Sequence, residues 1–600
     1  MKILRVLSIV FFLIFLSLSS WAETFYVRPA GGSYGSEDGS SYNNAWDGLL
    51  NVQWANPKES GKVGPGDTLY VCGTHVATWT SSGLIATKGD ITPVSGTSGN
   101  LITIRGDYPG DPGIIWGSYN EEFGDAWTDN EDGSWTKTIG SSAYPDWFVE
   151  YDFDTDTFIV LDRVSSKAEC ASTNSSFYYN EGTRALTVNP VDDSDPWGRI
   201  LIPRSGYDWK LSGLSYIKFL NLTTYVYMWN YNNISYITWE NCKLWYGEHS
   251  LVRYYSGDHI TIQGCDIAWG KNGIYVISNG NSEDYISTNG LISGNYIHDI
   301  GVRASQQNTD AHSVGTQAID DFIIEKNYSY NCGTGPSVYA YAIQTPQNNI
   351  FRYNYVKDCH TLGGATGYGI FTMCDNDSLS DKFGNKIYGN VTTGCTIGYR
   401  LRFEDETLWF NNVSYKDGVG MQATRSYDTG GVYYGPKVKG RNNLIIEPTT
   451  YFIEYSSSIS AESQGNAYLH TDYQQYPNGN TGTKFRVQGA NYNFNDYQAL
   501  NDSETGRIID EDNSIVTAHN LADPDNDDFT PSSSPPVGED QGSYNLLTDS
   551  NGPIWPTGTG GGTFSLDDPD SFGWFIGAIG EGSGISYTFR GATITGGKIQ

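Results

Sequence analysis

The chain has 600 residues, 36 Lys and Arg against 68 Asp and Glu, and a formal net charge of −32. A field this negative argues against nucleic acid and anionic membrane as partners, since binding either needs cationic side chains to displace counterions, and it repels an acidic polysaccharide unless a basic patch or bound cation reverses the sign locally. Plentiful Gly (70) and Tyr (44) with scarce Met (4) argue against a helical protein and for one elongated repeat domain with caps.

Residues 1–22 read as a secretory signal peptide. Lys2 and Arg5 form a basic start, Val6 to Leu18 is apolar, and Ser20 and Ala22 are the small residues of a cleavage site. The run is too short for a membrane span, and no later stretch approaches one. The expected mature protein starts near Glu23 and is secreted, extracellular or periplasmic, and monomeric.

Residues 23–120 are expected to form an N-terminal cap and first turns, around GPGDTLYVCGTH (Gly64 to His75) and LITIRGDYPGDPGII (Leu101 to Ile115). Across 121–204 that pattern disappears, and FYYNEGTRALTVNP (Phe177 to Pro190) alternates polar and apolar like a small inserted β module. Over 205–450 one pattern returns repeatedly: ITWENC (Ile237 to Cys242), ITIQGC (Ile260 to Cys265), LISGNY (Leu291 to Tyr296), IIEKNY (Ile323 to Tyr328), IFRYNY (Ile350 to Tyr355) and further copies. Anchors at 221, 241, 264, 295, 327, 354, 390, 412 and 443 are spaced by intervals drifting from 20 (221 to 241) to 36 (354 to 390). Constant strands joined by variable loops explain the drift. Asn and Gly at the bend suit a left-handed backbone position, and stacked Asn side chains about 4.8 Å apart can form a hydrogen-bonded ladder. Cys242 and Cys265 follow an anchor by one place; Cys332, Cys359 and Cys395 follow by five, where Trp269 and Ile300 stand in other coils. Buried free thiols stacked inside the coil account for them better than disulfides. Residues 451–600 are expected to hold the last coils and a loop-rich cap.

The GPGDTLYV start, the ITIRGDYPG turn, the stacked coils and the DFTPSSSPP (Asp528 to Pro536) and IGA (Ile576 to Ala578) ending resemble the right-handed parallel β-helix proteins of the pectate-lyase superfamily. The resemblance covers most of the mature chain and implies an all-β solenoid. The superfamily spans polysaccharide lyases, glycoside hydrolases, epimerases, esterases, tailspikes and adhesins, so fold alone assigns no mechanism.

The resemblance also implies a groove across one sheet. Candidate strands begin at His249, Asn272, Ala311, Ala340, Tyr368, Gly398 and Gly420. Alternation turns Val276, Val314, Ile343, Ile370, Leu401 and Ala423 inward and Arg253, Tyr275, Gln317, Gln344, Phe371, Arg400, Arg402 and Gln422 outward, a mix suited to sugar rings. Aligning Gly369 with Gly398 sets Asp375 beside Glu404 and Asp377 beside Glu406, an all-oxygen set that would suit calcium. Arg400 and Arg402 could neutralise a uronate carboxylate for β-elimination, with Asp310 and His312 three coils away as acid–base candidates, although strict alternation turns His312 inward. Paired carboxylates in the same groove would instead serve glycoside hydrolysis. A non-catalytic, adhesive surface β-helix is the third reading.

Overall fold

In the computed structural model the described residues lie between 22 and 531, together with 586–589, 592–595 and 598–599; the principal internal segments outside them are 77–88, 117–126, 140–147, 202–206, 226–230, 278–285, 302–310, 341–347, 375–384, 403–406, 456–467 and 501–513. The signal-peptide reading falls almost wholly outside them.

The chain winds as a right-handed parallel β-helix in which each described central coil gives one short strand to each of three sheets. In one coil these are Leu291–Ser293, Tyr296–Ile300 and Val314–Gln317, and each pairs in parallel with its counterpart in the next: Ile323–Glu325, Tyr328–Cys332 and Ser337–Ala340. The first sheet runs from Thr24–Arg28 to Tyr468–Asp472, the second from Thr74–Val76 to Leu444–Ile446, and the third from Ser250–Asp258 to Phe485–Val487. Three-residue strands suffice because every coil extends a ladder already in place. Inward columns such as Trp239, Ile262, Ile292, Ile324 and Phe351 are at most 2 % exposed and form one continuous core.

The bend between the first and second sheets contains two special positions, where the sequence suggests one. The left-handed residues are Asn221, Asn241, Gly264, Gly294, Lys326, Tyr353, Gly389 and Asn411. The next position carries the ladder, and there Leu222, Cys242 and Cys265 align with Asn295. The anchors at 221, 241 and 264 are therefore one place out of register with the later ones. From Asn295 onward the side chains do stack: Asn295 Nδ2 donates to Asn327 Oδ1 (2.9 Å), Asn327 to Asn354 (3.0 Å), Asn354 to Asn390 (3.0 Å), Asn390 to Asn412 (3.0 Å) and Asn412 to Asn443 (2.9 Å). Each of these Oδ1 atoms also accepts the backbone N–H of the Asn above it. The shift likewise moves Trp269 out of the Cys332 column: Ile300 pairs with Cys332, while Trp269 is left-handed beside Asp299 and Asn331.

The seven cysteines whose side chains are described are unpaired and buried, and burial raises Cys332, Cys359 and Cys395 above the ordinary thiol range. In the GPGD motif, Asp67 is fully buried, accepts the Gly64 and Glu23 amides (2.9 and 2.7 Å) and pairs with Lys58, so that motif pins the N-terminal coil.

Where the second sheet turns into the third, Gly335, Gly369, Gly398 and Gly420 form a column. A Cβ on Gly369 would lie 2.4 Å from Gly398 O and 2.7 Å from Thr392 Cγ2. The carbonyl belongs to the next coil and cannot swing away. Gly369→Ala is therefore expected to lower stability by about 2–3 kcal/mol. An unchanged denaturation midpoint would contradict this close approach.

Between Trp116 and Tyr207 the chain leaves the helix. The described residues of 127–201 form a five-stranded and a three-stranded sheet around their own core of Trp127, Ile139, Phe148, Phe177, Leu186 and Val188. Because Tyr207–Trp209 rejoins the solenoid beside Gly89–Ile91, this module occupies the link between the second and third sheets. At the far end, Ala490–Tyr492 pairs antiparallel with Phe485–Val487, and the short helix Phe494–Gln498, capped by Asn493, sets Phe494 and Tyr497 against the last coil. That reversal ends the parallel ladder.

Candidate functional site on the third sheet

Alternation along the third sheet buries Val276, Val314, Ile370, Leu401 and Ala423 completely, as expected from the sequence; Ile343 lies outside the described residues. The opposite parity builds an outer face. One row passes through Arg253, Tyr275, Gly315, Ser337, Phe371, Arg400, Gln422, Glu454 and Arg486 in successive coils. A parallel row two residues on contains Tyr255, Gln317, Met373 and Arg402.

Each arginine on this face lies against an aromatic ring or a thioether. The Arg253 guanidinium is 5.4 Å from the Tyr255 centroid and 5.7 Å from that of Tyr275, and it donates to Tyr255 Oη at 2.9 Å. Arg400 lies 4.6 Å from the Tyr368 centroid and 5.5 Å from Phe371. Arg402 contacts Met373 Sδ at 3.0 Å, and Arg486 sits over Tyr451 at 5.6 Å. Beneath them Tyr368, Phe371, Ile397 and Val419 make a small apolar floor on the outside of the coil. A guanidinium stacked on a ring keeps its N–H groups parallel to the ring plane and directed sideways.

The charge of this face opposes that of the whole chain. Among the described outward residues of these rows, Arg253, Arg400, Arg402 and Arg486 face one carboxylate, Glu454, which bonds Gln422 Nε2 (2.7 Å) and Arg486 Nη1 (3.0 Å). A chain of net charge −32 thus carries a local cationic stripe.

The structure brings together Arg400, Arg402, Phe371 and Gln422, with Arg253, Tyr275 and Gln317 farther up the same face; Gln317 Nε2 reaches Tyr275 Oη at 3.3 Å. His312 differs from expectation. It precedes the regular strand, joins Thr334 by an isolated bridge, and escapes strict alternation. Its ring lies parallel to that of outward Tyr275 (3°, centroids 6.4 Å apart), with Nδ1 3.0 Å from Ser337 Oγ and only 2 % of the residue exposed. Three coils separate it from Arg400, roughly 14 Å at the strand spacing, so the two do not share one sugar ring. The sequence puts Gln344 on a strand starting at Ala340, but that coil's strand is Ser337–Ala340, leaving Ser337 in the outward row. Gln344 itself, Asp310 and the whole acidic set Asp375, Asp377, Glu404 and Glu406 lie outside the described residues. The register proposed for that set is present, since Tyr368 and Ile370 pair with Ile397 and Tyr399 and align Gly369 with Gly398. Among the described residues no group of three or more His, Cys, Asp or Glu could hold a metal ion.

Sequence reasoning missed a second constellation, on the outer face of the second sheet. His298 lies between two carboxylates, Nε2 3.1 Å from Asp266 Oδ1 and Nδ1 2.8 Å from Asp299 Oδ2. Trp245 Nε1 donates to the same Asp266 oxygen (3.0 Å), and Asn331 Nδ2 to Asp299 (2.6 Å). Burial opposes a charge on His298, but the two carboxylates outweigh it and hold its pKa above the usual imidazole range. Tyr296 stacks on His298 at 4.2 Å and on Tyr328 at 5.2 Å, and burial pushes its hydroxyl up to about 12. The sequence signal was faint: Asp266 and His298 stand at non-equivalent positions of their repeats, and only the strand register makes them neighbours.

Residues 224–408 match the family model of the right-handed beta helix region. No curated protein matches the chain. Among solved structures it is similar to XylC in complex with xylose (11% identity, 83% of this chain and 87% of that chain, TM-score 0.45). It is also similar to the PL6 family alginate lyase AlyGC (12%, 82% and 57%, TM-score 0.36) and to PfbA, a surface adhesin of Streptococcus pneumoniae (9%, 67% and 87%, TM-score 0.33). Likenesses of this order concern the fold and carry no activity across.

Proposed function

We propose that this chain is an exported polysaccharide lyase that binds an acidic, uronate-containing polysaccharide along the third sheet and cleaves it by β-elimination. The observation that carries the reading is the arginine-on-aromatic stripe within an otherwise strongly acidic chain. A polyuronate is repelled by the rest of the surface and attracted there, so the stripe selects both the charge class and the docking face. Aromatic and apolar groups under the guanidinium groups suit the CH faces of sugar rings.

In β-elimination the C5 proton passes to a base, here solvent water, the C5–H electron pair forms the C4=C5 double bond, the C4–O bond breaks, and the departing oxygen takes a proton back from solvent. The carboxylate on C5 must be neutralised for that proton to become acidic, and in this reading that role falls to Arg400 and Arg402. Arginine keeps its own proton and does not act as the base. His312, buried and bonded to Ser337, positions the upper part of the face. Hydrolysis needs two carboxylates; the single described one in these rows, Glu454, is already engaged by Gln422 and Arg486, so that reading rests on the same acids Asp375, Asp377, Glu404 and Glu406. Calcium held by Asp375, Asp377, Glu404 and Glu406 belongs to the same proposal as a further bridge to substrate carboxylates.

The test is a panel of polyuronates and neutral polysaccharides, assayed with calcium and with chelator. New ultraviolet absorbance from unsaturated ends is expected on a polyuronate, with turnover at least about a hundredfold lower in Arg400→Ala and Arg402→Ala. Chelation is expected to lower turnover on the same substrate. Reducing ends without that absorbance would sink the lyase reading, and binding without product would point to an adhesin.

A further inference from the structure

The second sheet's outer face changes character along its length. In its last coils the outward residues Val391, Val413 and Leu444 are at most 3 % exposed, and the returning turn Pro524–Asn526 is tied there by Tyr415 Oη donating to Asp525 (2.5 Å) and by the Lys416–Asp525 ion pair. Several coils earlier the same face is amphipathic. Trp245, Tyr296 and Tyr330 are half-buried, and they surround Asp266, His298 and Asp299.

Strand register orders these groups into two columns. Asp266 is followed one coil on by Tyr296, and His298 by Tyr330. Each coil advances about 4.8 Å along the axis, close to the length of one residue in an extended glycan, so successive sugars would meet a ring or a polar pair at each step. His298 lies between two carboxylates, and Lys243 Nζ stands 3.3 Å from the Trp245 centroid. No guanidinium stripe like that of the third sheet runs through these described positions. Carboxylates held in place by Trp245, His298 and Asn331 accept hydrogen bonds from sugar hydroxyls and repel a sugar carboxylate.

We propose that this face is a second carbohydrate-binding site, distinct from the third-sheet groove, and that it takes a neutral glycan lying along the helix axis. Rings supply the stacking surface for sugar CH faces, and Asp266 and Asp299 accept hydroxyl hydrogen bonds. A protein that cuts an acidic polymer on one face would then hold an uncharged neighbouring glycan on another.

Isothermal titration of the full-length mature chain with neutral oligosaccharides of xylan, glucan, mannan and galactan type tests this, with a polyuronate oligomer as comparison. One neutral class is expected to bind, with Kd raised about five- to tenfold by Tyr330→Ala and unchanged by Arg402→Ala. Trp245→Phe, which keeps a smaller aromatic ring and removes the N–H donated to Asp266, is expected to weaken binding in the same direction and serves should Tyr330→Ala lose its thermal transition. Absence of binding to every neutral class, or binding lost in Arg402→Ala and kept in Tyr330→Ala and Trp245→Phe, overturns the proposal.

Discussion

Replacing Asn354 by Ala is expected to cost roughly 3–5 kcal/mol, and replacing Asn295 markedly less. In the middle of the ladder Asn354 Oδ1 accepts two N–H groups of Asn327, from the backbone (3.2 Å) and the side chain (3.0 Å). Its own Nδ2 donates to Ile324 O (2.8 Å) and Asn390 Oδ1 (3.0 Å). Truncation leaves both Asn327 donors above without their partner and takes one donor each from Ile324 O and Asn390 Oδ1, in a place 1 % exposed where water does not substitute. Asn295 begins the ladder. Above it stands Cys265, which supplies only a backbone N–H (2.9 Å), so its loss orphans one donor fewer. Equilibrium denaturation of both variants measures the difference. Equal and small losses would mean that the Asn column contributes little, with the strand ladders alone holding the register.

Stability is also expected to depend on pH through Asp417. This fully buried carboxyl accepts from Ser414 Oγ and Thr392 Oγ1 (2.6 Å each) and from the Cys395 amide (2.8 Å), yet burial outweighs those bonds and raises its pKa from 3.8 to about 7. The folded protein therefore holds a proton that the unfolded chain releases. That stabilisation is complete below pH 3.8 and is lost as pH rises to about 7, amounting to roughly 4 kcal/mol. His75 has the opposite sign. Buried in the first coils, it is pushed from 6.5 down to about 3, so its contribution is complete above pH 6.5 and lost as pH falls toward 3. Between about pH 4 and 6.5 the two slopes cancel, because the folded state binds one extra proton at Asp417 and lacks one at His75. Asp417→Asn keeps an acceptor for the Cys395 amide and a donor for the hydroxyls while removing the ionisation. It is expected to stabilise the protein at pH 8, leave it nearly unchanged at pH 4, and unmask a stability that rises from pH 3 to 6.5. A variant whose denaturation midpoint tracks the parent at every pH would refute this account.

The repeat made most of the solenoid legible. Short β-branched runs, a bend residue and an Asn returning at drifting intervals imply stacked coils whatever the loops contain, and Asn295, Asn327 and Asn354 do stand one above another. Alternation alone sufficed to turn Arg253, Phe371, Arg400, Arg402 and Gln422 outward, because a period of two leaves each strand residue only two directions. It has no hold at His312, which precedes the regular strand Val314–Gln317, and Gln344 lies outside the described residues.

What the amino-acid order settled by itself was local: strand, bend, strand, and which side chains point away from the core. Register between coils was decided by the tertiary structure, since loops of unequal length hide which residues are neighbours until the backbone hydrogen bonds are formed. The one-place shift between the early bend anchors and the Asn295 ladder was hidden in this way: Gly264 aligns with Gly294, and Cys265 takes the position of Asn295. The alignment of Gly369 with Gly398 already set Phe371 beside Arg400, but the His298 network and the continuation of that row to Gln422 and Glu454 were out of reach, because they unite residues tens of positions apart and exist only once coil lies upon coil.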